Sequence, residues 1–247
     1  MISDGMAEVL RSLGRRPGDE VMRRSAEVLA ADGVAVSLLV GKGGLAEPLW
    51  WTPGVSARFE ELQYTLGEGP GPEAIRTRAH VLEPDLEGVR PGRWPDLVPA
   101  ARKTGVHGVC CFFLGVGGIR LGVLTVLCSQ DRKLTEQQYQ DAVALATGLT
   151  AALLGRNPPE TWPGEGEVPQ GRTMWASDGM HRPVVHQATG MVSVQLDVSL
   201  AEALARLRAH AYASGRPLGE VAQDVVARRL SFSSDTNGPY TADGGKG

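Results

Sequence analysis

Six arginines near one end of this 247-residue chain could bind the phosphate groups of a nucleic acid. A guanidinium group stays charged, forks onto phosphate oxygens and stacks on unpaired bases. The stretch 182–232 that holds them has only four acidic residues, whereas the whole chain has a net charge of −3. The slight excess of positive charge in this stretch fits either an RNA-binding surface or an ordinary solvated helix face. The candidates are Arg182, Arg206, Arg208, Arg216, Arg228 and Arg229.

Aromatic side chains in the first half of the chain could line a pocket for a small molecule. Ligand pockets are lined mainly by apolar and aromatic groups. The same residue types also fill hydrophobic cores, so composition leaves both roles open. The candidates are Trp50, Trp51, Tyr64, Trp94 and Phe112.

The three cysteines are weaker candidates for chemistry. Cys110 and Cys111 are adjacent in an apolar run, so a strand would place them on opposite faces. Cys128 ends a neighbouring run, and no C-x-x-C or other metal-ligand spacing is present. We therefore expect buried structural thiols in a reducing, cytoplasmic setting, with no metal and no cofactor. A thiol that opened into a pocket would instead favour a thiol enzyme.

The elements up to residue 154 are predicted to be helices around an antiparallel sheet. Short apolar runs bounded by glycines predict strands at 34–40 and 45–51, and the runs 106–114 and 119–128 predict a hairpin. The segment 134–154 predicts a long helix that starts with a capping box at Thr135. The glycine-rich segment 66–72 lacks the lysine of a phosphate-binding loop and predicts a turn that leads into a helix.

Beyond residue 154, changes in composition divide the chain into a linker, a helical domain and a tail. Residues 155–181 are rich in proline and glycine and predict a linker. Helical spacing of apolar residues predicts three helices, the first near Pro183, the second capped by Ser199 and the third from Pro217. Residues 233–247 lack aliphatic side chains and predict a disordered tail. The predicted domains are 1–154 and 182–232, joined by the linker 155–181.

Two parts of the sequence resemble a known pair of domains. The runs LGEGPGPEAI (66–75), RWPDL (93–97) and RLGVLTV (120–126) resemble a GAF domain of the type found ahead of ANTAR domains. The run 186–226, with Ala188-x-Gly190 and Leu207-Arg208, resembles an ANTAR domain. The resemblance implies an α+β fold: a GAF domain with a mainly antiparallel sheet and flanking helices, followed by a small three-helix ANTAR domain.

The resemblance also implies a function. ANTAR domains bind paired hairpins in nascent RNA and let transcription pass a terminator, while GAF domains sense small molecules or mediate dimerisation. We therefore expect a cytoplasmic, non-enzymatic antitermination regulator that binds RNA and forms a homodimer, with a possible GAF ligand. Arg208, at the family's Leu-Arg position, is the leading RNA contact. The alternative is a sensor or dimerisation module whose ANTAR unit binds protein.

Three further expectations concern single features. Thr189 stands between Ala188 and Gly190 where the family has a basic residue, so the resemblance implies that this position faces RNA. Residues 6–31 predict an amphipathic helical region, and small residues along the helix 134–154 predict a two-fold interface formed with it. No apolar run is long enough to cross a membrane.

Overall fold

The computed structural model of the protein describes residues 1–15, 18–40, 45–128, 133–155, 182–233 and 240–241. The chain separates into two units, Met1–Trp162 and Pro163–Gly247. The predicted linker, apart from residue 155, lies outside the described residues.

A five-stranded antiparallel sheet forms the centre of the first unit, with the strand order β2-β1-β5-β4-β3. The predicted hairpin is β4–β5, but its turn is two residues rather than four. Pairing continues through Val116 and Ile119, and Gly117 takes the left-handed turn conformation at φ +56°. The strands are β1 Gly33–Val40, β2 Leu45–Trp51, β3 Val81–Glu83, β4 Gly108–Val116 and β5 Ile119–Cys128.

Helices cover both faces of this sheet, which confirms the predicted α+β class. The helices are α1 Asp4–Arg15, α2 Asp19–Val28, α3 Val55–Leu66, α4 Pro70–Thr77, α5 Leu97–Lys103 and α6 Glu136–Leu154, with a 3₁₀ turn at Leu86–Gly88. Helices α1, α2 and α6 enclose a core that includes Phe112 and Leu145. Helices α3, α4 and α5 enclose a second core that includes Phe59 and Leu97.

Helix α6 begins with the predicted capping box. The Thr135 side chain accepts a hydrogen bond from the backbone of Gln138, and the Gln138 side chain accepts one from the backbone of Thr135. Some of the small residues of α6, including Ala142 and Ala146, are buried within the chain. A Cβ atom at Gly148 would lie 2.6 Å from Cδ2 of Leu10, so this glycine allows α1 to approach.

Three helices form the core of the second unit, as predicted: α7 Arg182–Leu196, α8 Leu200–Ser214 and α9 Leu218–Val226. Ser199 caps α8 by accepting a hydrogen bond from the backbone of Glu202 at 3.2 Å, and Gly215 ends it at φ +64°. Helix α9 begins one residue later than predicted because Pro217 is its N-cap. Its buried side chains, Leu218, Val221, Ala222 and Val225, pack with those of α7 and α8.

Two short strands follow, β6 Leu230–Ser231 and β7 Tyr240–Thr241, and they pair antiparallel. The segment expected to be a disordered tail therefore includes one paired dipeptide, while 234–239 and 242–247 lie outside the described residues. Among the helices of the described ranges, none is both long and apolar enough to span a membrane.

Candidate nucleic-acid interface

The two arginines of α8 lie on different sides of the helix. Arg206 is half-exposed and forms an ion pair at 3.4 Å with Glu202, one turn earlier. Arg208 is half-buried beside the apolar stripe that includes Leu204 and Leu207. Because successive helix positions rotate by about 100°, residues two apart point in nearly opposite directions. The structure therefore does not place these two side chains on one face.

Arg216 and Arg229 converge on Asp224. The Nη2 atoms of both arginines lie 2.7 Å from carboxylate oxygens of Asp224, and Nε of Arg229 donates to the same carboxylate at 2.8 Å. Hydrogen bonds from Arg216, and then from Arg229, hold the pKa of Asp224 below its usual range. Asp224 thus fixes the position of two guanidinium groups and offsets part of their charge.

His210 lies close to this cluster. Burial lowers the pKa of His210, and the charge of Arg216 lowers it further. Both effects disfavour the charged form of the imidazole. Its ring meets that of Phe232 edge-on, with centroids 5.9 Å apart.

Arg228 stands at a turn that ordinarily favours glycine. The backbone N–H of Arg228 donates to Val225 and that of Arg229 donates to Asp224, which together close the end of α9. The backbone of Arg228 is left-handed, at φ +58°. The side chain of Arg228 lines a groove of about 630 Å³ with residues of α7 and β6. The other lining residues are Gln187, Gly190, Met191, Val194, Gln195, Leu230 and Ser231.

Arg182, the remaining candidate, begins α7, and its side chain lies outside the described part of the chain. Of the six arginines, the structure brings together Arg216 and Arg229, and it places Arg206, Arg208 and Arg228 separately. Sequence reasoning missed the role of Asp224. Asp224 lies eight residues after Arg216 and five residues before Arg229. These spacings do not match the repeat of one continuous helix, because a turn separates the first pair and the end of α9 separates the second.

Position 189 does not face solvent, so the expectation of an RNA-facing residue there is wrong. Thr189 is 7% exposed, and its hydroxyl donates to the carbonyl of Val185 at 2.7 Å. Val185, Ala188 and Val192 are buried on the same helix. Position 189 falls on this core stripe because it lies four residues after Val185 and three before Val192.

The five aromatic candidates are divided between the two faces of the sheet. Phe112 is part of the core under α1, α2 and α6, and Trp50 packs against it. Trp94 lies in the core on the opposite face of the sheet. Trp51 faces that second side because neighbouring strand residues alternate, and both Trp51 and Tyr64 are buried.

Arg93 joins two carboxylates beside Trp94. Its guanidinium donates to Glu73 at 2.8 Å, pairs with Glu83, and lies 4.3 Å from the centroid of the Trp94 ring. The indole N–H of Trp94 also donates to Glu73 at 3.0 Å. The Arg93 hydrogen bond holds the pKa of Glu73 below its usual range. This network fixes α4 to β3 and to the segment before α5.

The glycine-rich segment 66–72 contains the expected turn, but the turn is confined to residues 67–69 because α3 runs to Leu66 and α4 begins at Pro70. Glu68 Oε1 accepts hydrogen bonds at 2.8 Å from the backbone N–H groups of Asp96 and Leu97, at the start of α5. The N–H of Gly71 donates to the side chain of Gln63 at 2.7 Å. These hydrogen bonds hold α3, α4 and α5 together.

A buried carboxylate on the α3 side of the sheet was not predicted. Glu60 is 6% exposed and accepts hydrogen bonds from Ser37 at 2.6 Å and from Gln63 at 3.2 Å. Burial, and then the charge of Glu60, raises the pKa of Cys111. A glutamate within an otherwise amphipathic helix gives no sequence signal that it points inward.

All three cysteines are buried, at most 4% exposed. Cys110 and Cys111 contribute to different cores, as the strand alternation predicted. A hydrogen bond with Cys128 raises the pKa of Cys110 and lowers that of Cys128. Within the described ranges no group of three or more His, Cys, Asp or Glu side chains is arranged to hold a metal.

Residues 180–226 match the family model of the ANTAR domain. The match spans α7, α8 and α9. Residues 180–226 of the second unit are therefore an ANTAR domain. As a family, ANTAR domains are RNA-binding regulators of transcription antitermination.

Solved GAF-type structures are similar to the other part of the chain. A GAF domain from a Coxiella burnetii phosphoenolpyruvate-protein phosphotransferase has 19% identity and a TM-score of 0.48, covering 62% of this chain and 96% of its own. The phycoerythrobilin-bound GAF domain of a cyanobacterial phytochrome has 13% identity and a TM-score of 0.47, with coverages of 62% and 96%. Free methionine-R-sulfoxide reductase from Neisseria meningitidis has 14% identity and a TM-score of 0.44, with coverages of 62% and 93%.

No curated protein matches the chain in sequence. The five-stranded antiparallel sheet with helices on both faces resembles a GAF domain. The chain therefore joins an ANTAR domain to a unit that is built on a five-stranded antiparallel sheet. ANTAR domains are in general regulatory rather than enzymatic, and one structural neighbour of the first unit named above is a reductase.

Proposed function

We propose that this protein is a cytoplasmic RNA-binding regulator of transcription antitermination. Its ANTAR domain binds hairpins of a nascent transcript, and its GAF-like unit senses a signal or dimerises. The observation that carries the proposal is the match of residues 180–226 to the ANTAR domain, which spans the three helices that the structure describes in the C-terminal unit.

The arginines of the ANTAR domain support this proposal. Asp224 holds the guanidinium groups of Arg216 and Arg229 in fixed positions, so binding phosphate there costs less conformational entropy than binding with free side chains. Arg208 occupies the family's Leu-Arg position and is the proposed leading contact. Arg182, Arg206 and Arg228 are auxiliary contacts.

The direct test is to crosslink RNA to the protein in cells and sequence what is bound. We expect paired hairpins ahead of terminators to be enriched. Replacing Arg208 with alanine should reduce the enrichment, whereas Arg11→Gln, on an exposed site of α1, removes one charge from the other unit and should leave it unchanged. Recovery of the same RNAs with a protein that lacks residues 182–232 would contradict the proposal.

A protein-binding ANTAR domain is the second candidate, because the domain exposes apolar side chains. Val194, Leu200 and Tyr212 are 83%, 60% and 60% exposed. The carboxylates beside Arg206, Arg216 and Arg229 also reduce the positive charge offered to RNA. Absence of specific RNA in the crosslinking experiment, together with a stable protein complex lost on Val194→Ser, would favour this candidate.

The GAF-like unit is proposed to sense a small molecule on the α3 side of the sheet. Glu60, Ser37 and Gln63 place buried polar groups there, and Trp51, Tyr64 and Trp94 lie on the same side. A ligand that bound there should raise the melting temperature of the wild type by mass action. The same ligand should have no effect on a Gln63→Leu variant. An equal shift in both would place the ligand elsewhere.

A further inference from the structure

Two residues of the ANTAR domain adopt positions that cost stability, and both line the same groove. Gly190 lies in the interior of α7, where glycine is less stable than alanine. A Cβ atom at this position would have no heavy atom within 4 Å, so packing in the described chain does not require a glycine. Arg228 occupies a left-handed position where glycine would be free of strain.

The chemistry of the groove suits a flat group with polar edges. Met191, Val194 and Leu230 supply apolar walls, while Gln187 and Gln195 supply primary amides. Gln195 is held by a hydrogen bond from the backbone N–H of Phe232 to its Oε1 at 3.0 Å. A nucleobase has two apolar faces and an edge of donors and acceptors, and proteins bind unpaired bases by stacking and by hydrogen bonds to that edge.

The charge at the groove favours RNA over a peptide. Arg206, Arg216 and Arg229 are each paired with a carboxylate. By contrast, the Arg228 side chain forms no hydrogen bond or ion pair within the described part of the chain. An uncompensated guanidinium beside apolar walls can neutralise the phosphate that accompanies a bound base.

We infer that this groove receives one unpaired base of the RNA, with the base lying along the open surface at Gly190 and Arg228 binding the adjacent phosphate. This inference rests on the proposed function and specifies its contact. The absence of a side chain at Gly190 lets the base approach the helix backbone. Gln187 and Gln195 are the donors and acceptors for its edge.

The test measures binding of the full chain to a fluorescent hairpin RNA with an unpaired loop. Gly190→Leu places a side chain in the groove and favours the helix, and Arg228→Gly relieves the left-handed backbone. Each variant should bind about tenfold more weakly, while its melting temperature stays equal to or above that of the wild type. Ala205→Leu, on the exposed face of α8, is the matched control and should bind as the wild type does.

Abasic substitutions in the loop complete the test. Removing the recognised base should weaken binding of the wild type about tenfold and should add nothing further in Gly190→Leu. Wild-type affinity in both groove variants would overturn the inference while leaving RNA binding intact. Failure of the wild type to bind any RNA at low salt would instead refute the proposed function. Crosslinks from a photoreactive residue at position 194 to a protein, with none to RNA, would overturn the inference in favour of a protein partner.

Discussion

The hydroxyl of Thr189 donates a hydrogen bond to the carbonyl of Val185, 2.7 Å away, inside the core of the ANTAR domain. This single contact changes the interpretation of the Ala188-x-Gly190 motif. Ala188 and Thr189 both face the core, whereas Gly190 lies at the groove. The part of the motif that lines the groove is therefore the glycine, not the residue before it.

Replacing Thr189 with lysine should destabilise the ANTAR domain by about 2–4 kcal/mol, because the ammonium group would enter a small apolar core. Urea denaturation followed by circular dichroism measures the loss. Thr189→Ser keeps the hydroxyl and should cost less than about 1.5 kcal/mol. A lysine variant as stable as the wild type would mean that this side chain reaches solvent.

Removing the Glu68 carboxylate should loosen the start of α5. Glu68→Ala leaves the N–H groups of Asp96 and Leu97 without their acceptor and should cost about 1–3 kcal/mol. Hydrogen exchange at these two amides should quicken in the variant. Glu68→Gln retains an oxygen acceptor and serves as the control. Unchanged exchange in Glu68→Ala would show that another group accepts these hydrogen bonds.

The Arg93–Glu73 pair should make the stability of the GAF-like unit depend on pH. Because the folded-state pKa of Glu73 is lowered, its contribution is complete above the unfolded value of about 4.3. The contribution is lost as the pH falls through the folded-state pKa. Denaturant midpoints measured from pH 6 down to pH 3 should fall more steeply for the wild type than for Glu73→Gln. If the denaturant midpoints of the two proteins fell in parallel, Glu73 would not be the source of the pH dependence.

Dimerisation remains a prediction, and the structure narrows the surface to be tested. Gly148 faces Leu10 within the chain, so Gly148→Val should destabilise the unit by about 1–3 kcal/mol whether or not it dimerises. Ala151 is exposed on α6. Ala151→Arg should therefore leave stability unchanged and weaken a dimer formed by α6. Light scattering at protein concentrations of tens of micromolar measures the oligomeric state. A monomeric wild type would refute the prediction.

Local signals in the sequence accounted for most of the fold. The capping box of Thr135, the cap of Ser199 and the glycine at 215 fixed the helix ends because each acts within a few residues. The β4–β5 hairpin followed from two apolar runs joined by glycines. The alternation of Cys110 and Cys111 followed from the two-residue period of a strand.

Long-range contacts could not be predicted in the same way. The two faces of the sheet both bury aromatic side chains, so residue type did not separate Phe112 from Trp94. Pairing of Arg216 and Arg229 with Asp224 depends on how a turn and a helix end meet. The burial of Thr189 followed from helical spacing, but the resemblance pointed to the opposite orientation.

Salt-dependent binding of a tandem-hairpin RNA is the most direct test of the central claim, that the ANTAR domain binds RNA through its arginines. Affinity should fall as salt rises, with a slope of about −0.7 to −0.9 for each phosphate contact. Arg208→Ala should weaken binding by about 1–3 kcal/mol with an unchanged circular dichroism spectrum, because Leu204 and Leu207 keep the α8 stripe intact. No binding by the wild type at low salt, to hairpins or to unrelated RNA, would contradict the account.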